Sequence, residues 1–170
     1  MKKQNIRQTA LCALFTAIIT ACSWIAIPTP FGVNFTLQLF GVCITALILG
    51  AKSAIFSVLA YLIIGAVGLP VFSGFTSGVG VLFGVSGGFL WGFFAAAPLC
   101  AIAKKTSKKT LKIAFFILSV VVCHALGVIQ YSAVTGNRLL IAFLSVSAPF
   151  LAKDMLLVFL ANFVSKKIKL

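Results

Sequence analysis

The sequence predicts an all-α polytopic membrane protein: six transmembrane helices in one domain over residues 1–170, with both termini on the cytoplasmic side. Three observations lead there. Hydrophobic residues make up 62% of the 170 positions and the chain holds a single acid, which leaves too little polar surface to cover a water-soluble globule. The apolar residues fall in six runs, near 9–27, 34–50, 52–68, 80–103, 111–133 and 148–166, and a spanning helix needs about 20 such residues. Threading those runs back and forth puts 12 of the 14 basic residues on one side, the cytoplasmic one by the positive-inside rule.

The first run follows "MKKQNIRQ", the layout of a secretory signal, and "ITAC" at residues 19–22 looks like a lipoprotein cleavage box. The run continues through Trp24 and Ile27 to spanning length and five more follow, so it reads as a first transmembrane helix. Ala13, Ala17 and Ala21 recur every four residues and share one helix face, a small-residue surface for close contact either inside this chain or against a separate subunit. After a loop with Pro28, Pro30 and Asn34, the second and third runs are divided only by Gly50, Ala51 and Lys52, which predicts a tight hairpin. "GAKS" at 50–53 lacks the glycine that a phosphate-binding loop needs before its lysine, so no nucleotide site is expected.

Between the third and fourth spans, on the outer side, "GLPVFSGFTSGVGVLFGVSGGFLWGFF" holds eight of the 14 glycines. Irregular backbone at membrane depth survives only where it is buried in protein or lines a cavity. Glycines such as Gly87 let a loop turn back toward a ligand. Phe72, Phe75, Phe89 and Trp91 would wall an apolar pocket. The alternative is that Gly84, Gly87, Gly88 and Gly92 simply allow close helix packing.

"KKTSKK" then returns the chain to the cytoplasmic side, and "TGNR" with Arg138 marks the last outer loop. Ser147 reads as the N-cap of the last helix and Pro149 as a first-turn residue. Asp154 then lies about 9 Å below the outer end, at about 1.5 Å per residue. An acid in a spanning helix costs about 2.5–3.5 kcal/mol on insertion scales, so it asks for a partner: an ion pair with Arg138 or Lys153, or a ligand. Sequence neighbours on a helix point about 100° apart, so Lys153 is not expected simply to neutralise it.

The remaining chemistry is sparse. Cys12, Cys22, Cys43, Cys100 and Cys123 lie in apolar runs without paired metal-ligand spacing and read as small buried hydrophobes. His124, the sole histidine, makes no metal site or triad and reads as a packed, hydrogen-bonded side chain. No enzyme is expected, for want of a second acid, ligating histidines or an activated nucleophile. The net charge of +13 is explained by sidedness and contact with anionic membrane lipid rather than by nucleic acid. A lone acid is thin provision for an ion-coupled pump, so uphill transport would draw its energy from another subunit.

"IAIPTPFGVNFTLQLFGVCITALILG", "AVGLPVFSGF", "GVSGGFLWGF" and "PFLAKD", in this order along nearly the whole chain, resemble BioY, the biotin-binding S component of energy-coupling factor (ECF) transporters. The resemblance implies a multi-pass protein of the prokaryotic cell membrane that captures biotin from outside. It would deliver the vitamin with a transmembrane scaffold subunit and two cytoplasmic ATPases, and it needs no cofactor of its own. On this reading Asp154 accepts the two ureido N–H groups. Gln38, Ser86 or Gln130 donates to the ring carbonyl, and Lys153 or Arg138 meets the carboxylate. Two departures stand out: Val85, Ser86 and Phe89 replace the proline, threonine and aromatic usual around the double glycine, and Leu157 stands where many relatives have lysine. A related S component for a different vitamin and a self-sufficient small-solute carrier remain the alternatives.

Overall fold

A computed structural model describes residues 2–168, with side chains from residue 6 onward. The side chains of Lys2 and Lys3 and the whole of Lys169, all counted to the cytoplasmic side by sequence, lie outside the described residues. The chain runs α1 (Lys2–Trp24), β1 (Ala26–Ile27), β2 (Phe35–Thr36), α2 (Gln38–Leu49), α3 (Ala51–Ala66), a single 3-10 turn (Ser73–Phe75), α4 (Val79–Phe83), α5 (Gly87–Lys105), α6 (Lys109–Thr135), α7 (Leu139–Val146) and α8 (Ala148–Ser165). Four helices are long and apolar enough to cross a membrane: the part of α1 from Ile6 to Trp24, then α5, α6 and α8. The expected second and third spans are apolar but short, at 12 and 16 residues.

Their hairpin forms as expected. Gly50 takes a positive φ of 83°, a region open to glycine, and turns α2 directly into α3. α2 is the central helix, packed on α1, α3, α5 and α8. Its Val42, Cys43, Ala46 and Leu47 are closed off from solvent in one core with Val58, Ala96, Val120 and Val158.

α5 and α6 lie against each other along much of their length. The absence of a side chain at Gly88 permits this, because a Cβ there would overlap the Leu126 carbonyl. Polar contacts join α1 to α3: Gln8 donates to Ser53 Oγ at 2.8 Å and Thr16 to the Ser57 carbonyl at 3.1 Å. Arg7 and Lys52 are therefore at one end of the bundle, and Lys104 reaches that end by donating to the Leu47 carbonyl. At the opposite end Ser23 donates to the Val71 carbonyl and Trp24 to that of Pro70.

The expected fourth span, 80–103, breaks at residues 84–86 into α4 and α5, and two further features were not legible in the sequence. The proline-containing loop after α1 closes as a small antiparallel ribbon, Ala26 opposite Thr36 and Ile27 opposite Phe35. Residues 139–146, left as a connection, form α7, which buries Ala142 and Val146 beside Val33 and Phe150.

Candidate functional site

One face of α8 supplies the polar centre. Pro149 sits in its first turn, and Phe150, Asp154 and Leu157, spaced four and three residues apart, are buried in succession. Asp154 is 7% exposed. It borders a cavity of about 330 Å³, whose other walls come from the ribbon loop, α2, the loop after α3, and the α4–α5 region. Phe72, Phe89, Phe93 and Phe150 make its apolar walls, while Asn34, Thr36, Gln38, Ser73, Thr76 and Ser86 add neutral polar groups. Phe72 holds its place by seating its ring on Gly65, where any side chain would collide with it, and by an edge-on contact with Tyr61.

The acid has two partners. His124 Nε2 lies 3.1 Å from Oδ2, and Lys153 Nζ lies 2.8 Å from Oδ1. The Lys153 pairing is one of the two ion pairs the sequence left open, reached despite the helix angle. The two residues do diverge on the helix, but the long lysine stem folds back, donating to the Thr36 carbonyl at 2.5 Å and resting over the Phe35 ring at 4.6 Å. The ammonium pairs with Oδ1 as an ion, and among the described residues this buried oxygen accepts no hydrogen bond.

Gln38 donates to the Tyr61 hydroxyl, and its Oε1 accepts from Thr36 Oγ1 at 3.4 Å. Its amide nitrogen has a second hydrogen beyond the one given to Tyr61. Across the cavity Asn34 donates to Ser73 Oγ at 2.8 Å.

Of the side chains singled out by sequence, Asp154, Lys153, Gln38, Phe72, Ser86 and Phe89 line this cavity, and five do not. Phe75 is 61% exposed and stacks on Trp24 with ring centroids 5.1 Å apart. Trp91 faces outward, its indole N–H donating to the Leu82 carbonyl at 3.0 Å. Gln130 gives its amide hydrogens to the carbonyls of Leu82 and Gly84, at 2.9 and 2.8 Å. Gly87 is packed against that Leu82 carbonyl and the Gln130 amide, with no room for a side chain, as the close-packing alternative had it. Arg138 is exposed at the start of α7. The loop and helix ends around 82–91 are thus braced by side chains that had been expected in the pocket.

Ser147 does begin α8, but its hydroxyl does not cap the helix. It lies 2.9 Å from His124 Nδ1 instead, forgoing a cap commonly worth about 1 kcal/mol. Cys22, Cys43, Cys100 and Cys123 are buried as expected, Cys12 only half so, and Cys123 reaches the cavity wall. Ala13, Ala17 and Ala21 all face outward from the bundle, so their stripe is not packed within the chain.

Sequence reasoning missed Asn34, Thr36, Ser73, Thr76, Phe93 and Phe150. Phe150 had a signal, lying one helical turn before Asp154, as did Phe93, four residues after Phe89; Asn34, Thr36, Ser73 and Thr76 sit in or beside the short ribbon and the turn after α3, where no helical periodicity marks them.

A family model described as the BioY family matches residues 1–170. The biotin transporter BioY of Thermotoga maritima is 39% identical over 124 residues, 72% of this chain and 73% of that one. The biotin transporter BioY of Rhodobacter capsulatus is 30% identical over 176 residues, covering 95% and 93%. Among solved structures, the S-component for biotin from an ECF-type ABC transporter superposes with a TM-score of 0.88 at 24% identity, over 98% of this chain and 93% of that one, a likeness of fold.

Proposed function

The chain belongs to the BioY family, and from that premise we propose that it captures biotin as the membrane substrate-binding subunit of an ECF-type transporter. The observation that carries this reading is Asp154 Oδ1: a buried carboxylate oxygen whose one neighbour of opposite charge among the described residues is the Lys153 ammonium at 2.8 Å and which accepts no hydrogen bond from them, on a residue that lines an aromatic-walled cavity. Biotin's ureido ring carries an N–H donor on each flank of its carbonyl, and one of them suits a carboxylate oxygen as a charge-assisted hydrogen bond. The cavity volume of about 330 Å³ suits a small molecule. The second amide hydrogen of Gln38 and the Ser86 hydroxyl are the donors for the ring carbonyl. The thioether ring rests against Phe72, Phe89 and Phe93. The carboxylate tail lies toward Asn34, Ser73 and Thr76, since Arg138 is remote from the cavity and Lys153 is engaged with Asp154.

The topology follows the charges. The end that gathers Arg7, Lys52 and Lys104 is cytoplasmic, and the cavity opens toward the outer half of the plasma membrane. α2 and α3 complete six membrane helices with both termini inside. The exposed stripe of Ala13, Ala17 and Ala21 is the docking face for the transmembrane scaffold subunit, and two cytoplasmic ATPases supply the energy. The chain performs no covalent chemistry and holds no cofactor.

Uptake of labelled biotin into vesicles tests the assembly. Vesicles carrying this chain with scaffold and ATPase subunits should accumulate biotin when ATP is present on the ATPase side, and vesicles carrying the chain alone should not. Equal uptake by the chain alone would make it a self-sufficient carrier.

A further inference from the structure

His124 is a second ionisable side chain buried beside the cavity, and it has no contact role in ligand capture as described above. It is 3% exposed and does not line the cavity. From α6 its ring reaches two points at the start of α8, with Nε2 3.1 Å from Asp154 Oδ2 and Nδ1 2.9 Å from Ser147 Oγ. A carboxylate can only accept, so Nε2 carries the hydrogen, while Nδ1 meets the Ser147 hydroxyl. The ring is held edge-on to Phe89, at 5.5 Å and 90°, and Phe89 is itself a cavity wall.

The orientation of a carboxylate is free about its last bond until one oxygen is fixed. Here the oxygen fixed by a hydrogen bond is Oδ2, while the other, Oδ1, is ion-paired with the Lys153 ammonium at 2.8 Å and accepts no hydrogen bond among the described residues. We propose that His124 is a positioning residue for ligand capture: braced by Ser147, it locks Asp154 in the rotamer that offers Oδ1 to N–H donors of the ligand, without touching the ligand. The proposal rests on the reading of the cavity as the biotin site. A space-filling role would accept any side chain of similar volume, whereas positioning requires an N–H where Nε2 stands.

Biotin titrations of the purified, folded full chain separate the two. In His124→Gln the amide N–H reaches about as far as Nε2, and affinity should stay within about threefold of the parent. In His124→Asn it reaches only about as far as Nδ1, and affinity should fall by about tenfold or more, the loss of one hydrogen bond to a charged group. His124→Leu should cost about tenfold with Asp154 present and cause no further loss in an Asp154→Asn chain, because residues acting through one another are non-additive. Equal losses in His124→Gln and His124→Asn would overturn the proposal, as would a His124→Leu loss that persists beside Asp154→Asn. Should His124→Leu not fold, the comparison of glutamine with asparagine decides. A parent chain that binds no biotin would overturn the reading of the cavity and this proposal with it; normal binding that no His124 substitution changes would overturn this proposal alone.

Discussion

Asp154→Asn keeps the outline of the side chain while removing its charge, and the surroundings dictate how the new amide must lie. His124 Nε2, 3.1 Å from Oδ2, still requires an acceptor, so the amide oxygen turns to the histidine. Its NH2 group is then forced to the Oδ1 position, 2.8 Å from the Lys153 ammonium and facing the ligand. Donors meet donors on both sides. A hydrogen bond to a charged group contributes about 1.5–3 kcal/mol, and a buried donor left without an acceptor costs about 1–3 kcal/mol more. At 1.4 kcal/mol per decade, biotin affinity should fall by at least about tenfold and, if both terms act, by more than about a hundredfold. Isothermal titration of the purified variant measures this, with thermal unfolding run in parallel to show that the chain is folded. Unchanged affinity together with a lowered unfolding temperature would refute the reasoning: Asp154 would then serve Lys153 and His124 structurally, and the ligand would bind elsewhere.

Lys153→Met keeps the stem but removes the counter-charge and the bond to the Thr36 carbonyl. Biotin affinity should drop by less than for Asp154→Asn, under about tenfold, because the ligand's own N–H groups then satisfy the carboxylate; a titration that shows the larger loss for Lys153→Met would contradict this. Ala13→Trp or Ala17→Trp should lower transport in the assembled system and leave biotin binding intact, since a ring on that exposed face obstructs helix docking far from the cavity. Equal loss of binding would mean that the stripe supports the cavity instead. Gly88→Ala should lower the unfolding temperature, because its Cβ meets the Leu126 carbonyl and overpacking costs about 1–3 kcal/mol; an unchanged melt would contradict it. Phe75→Ala and Trp91→Ala, both outside the cavity, should leave affinity within about twofold.

The sequence revealed what short-range rules govern. The α2–α3 hairpin was legible because only glycine, alanine and lysine separate two apolar runs. The start of α8 followed from Ser147 and Pro149, and the depth of Asp154 then followed from helical rise. What eluded it depends on distant segments meeting. The partner of Asp154 on the histidine side lies 30 residues away in sequence, and no local pattern announces that α6 and α8 bring the two together. Gln130 and Trp91 had the right chemistry for a pocket, but the carbonyls of Leu82 and Gly84 claimed their donors first. The glycine-rich stretch turned out to serve two ends: Gly80 and Gly84 border the cavity, while Gly87, Gly88 and Gly92 let the chain pack tightly. α7 was missed because eight residues, seven of them apolar, are too few to span a membrane, and nothing local shows that they fold back over Val33 and Phe150.

The central claim is that this chain alone contains the biotin site. Isothermal titration of the purified, monodisperse protein with biotin, without ATP or any partner subunit, tests it most directly, with a panel of other vitamins as controls. The account requires saturable binding with one biotin per chain and no comparable heat from the other vitamins. A flat biotin titration in folded protein, or preferential binding of a different vitamin, would contradict it.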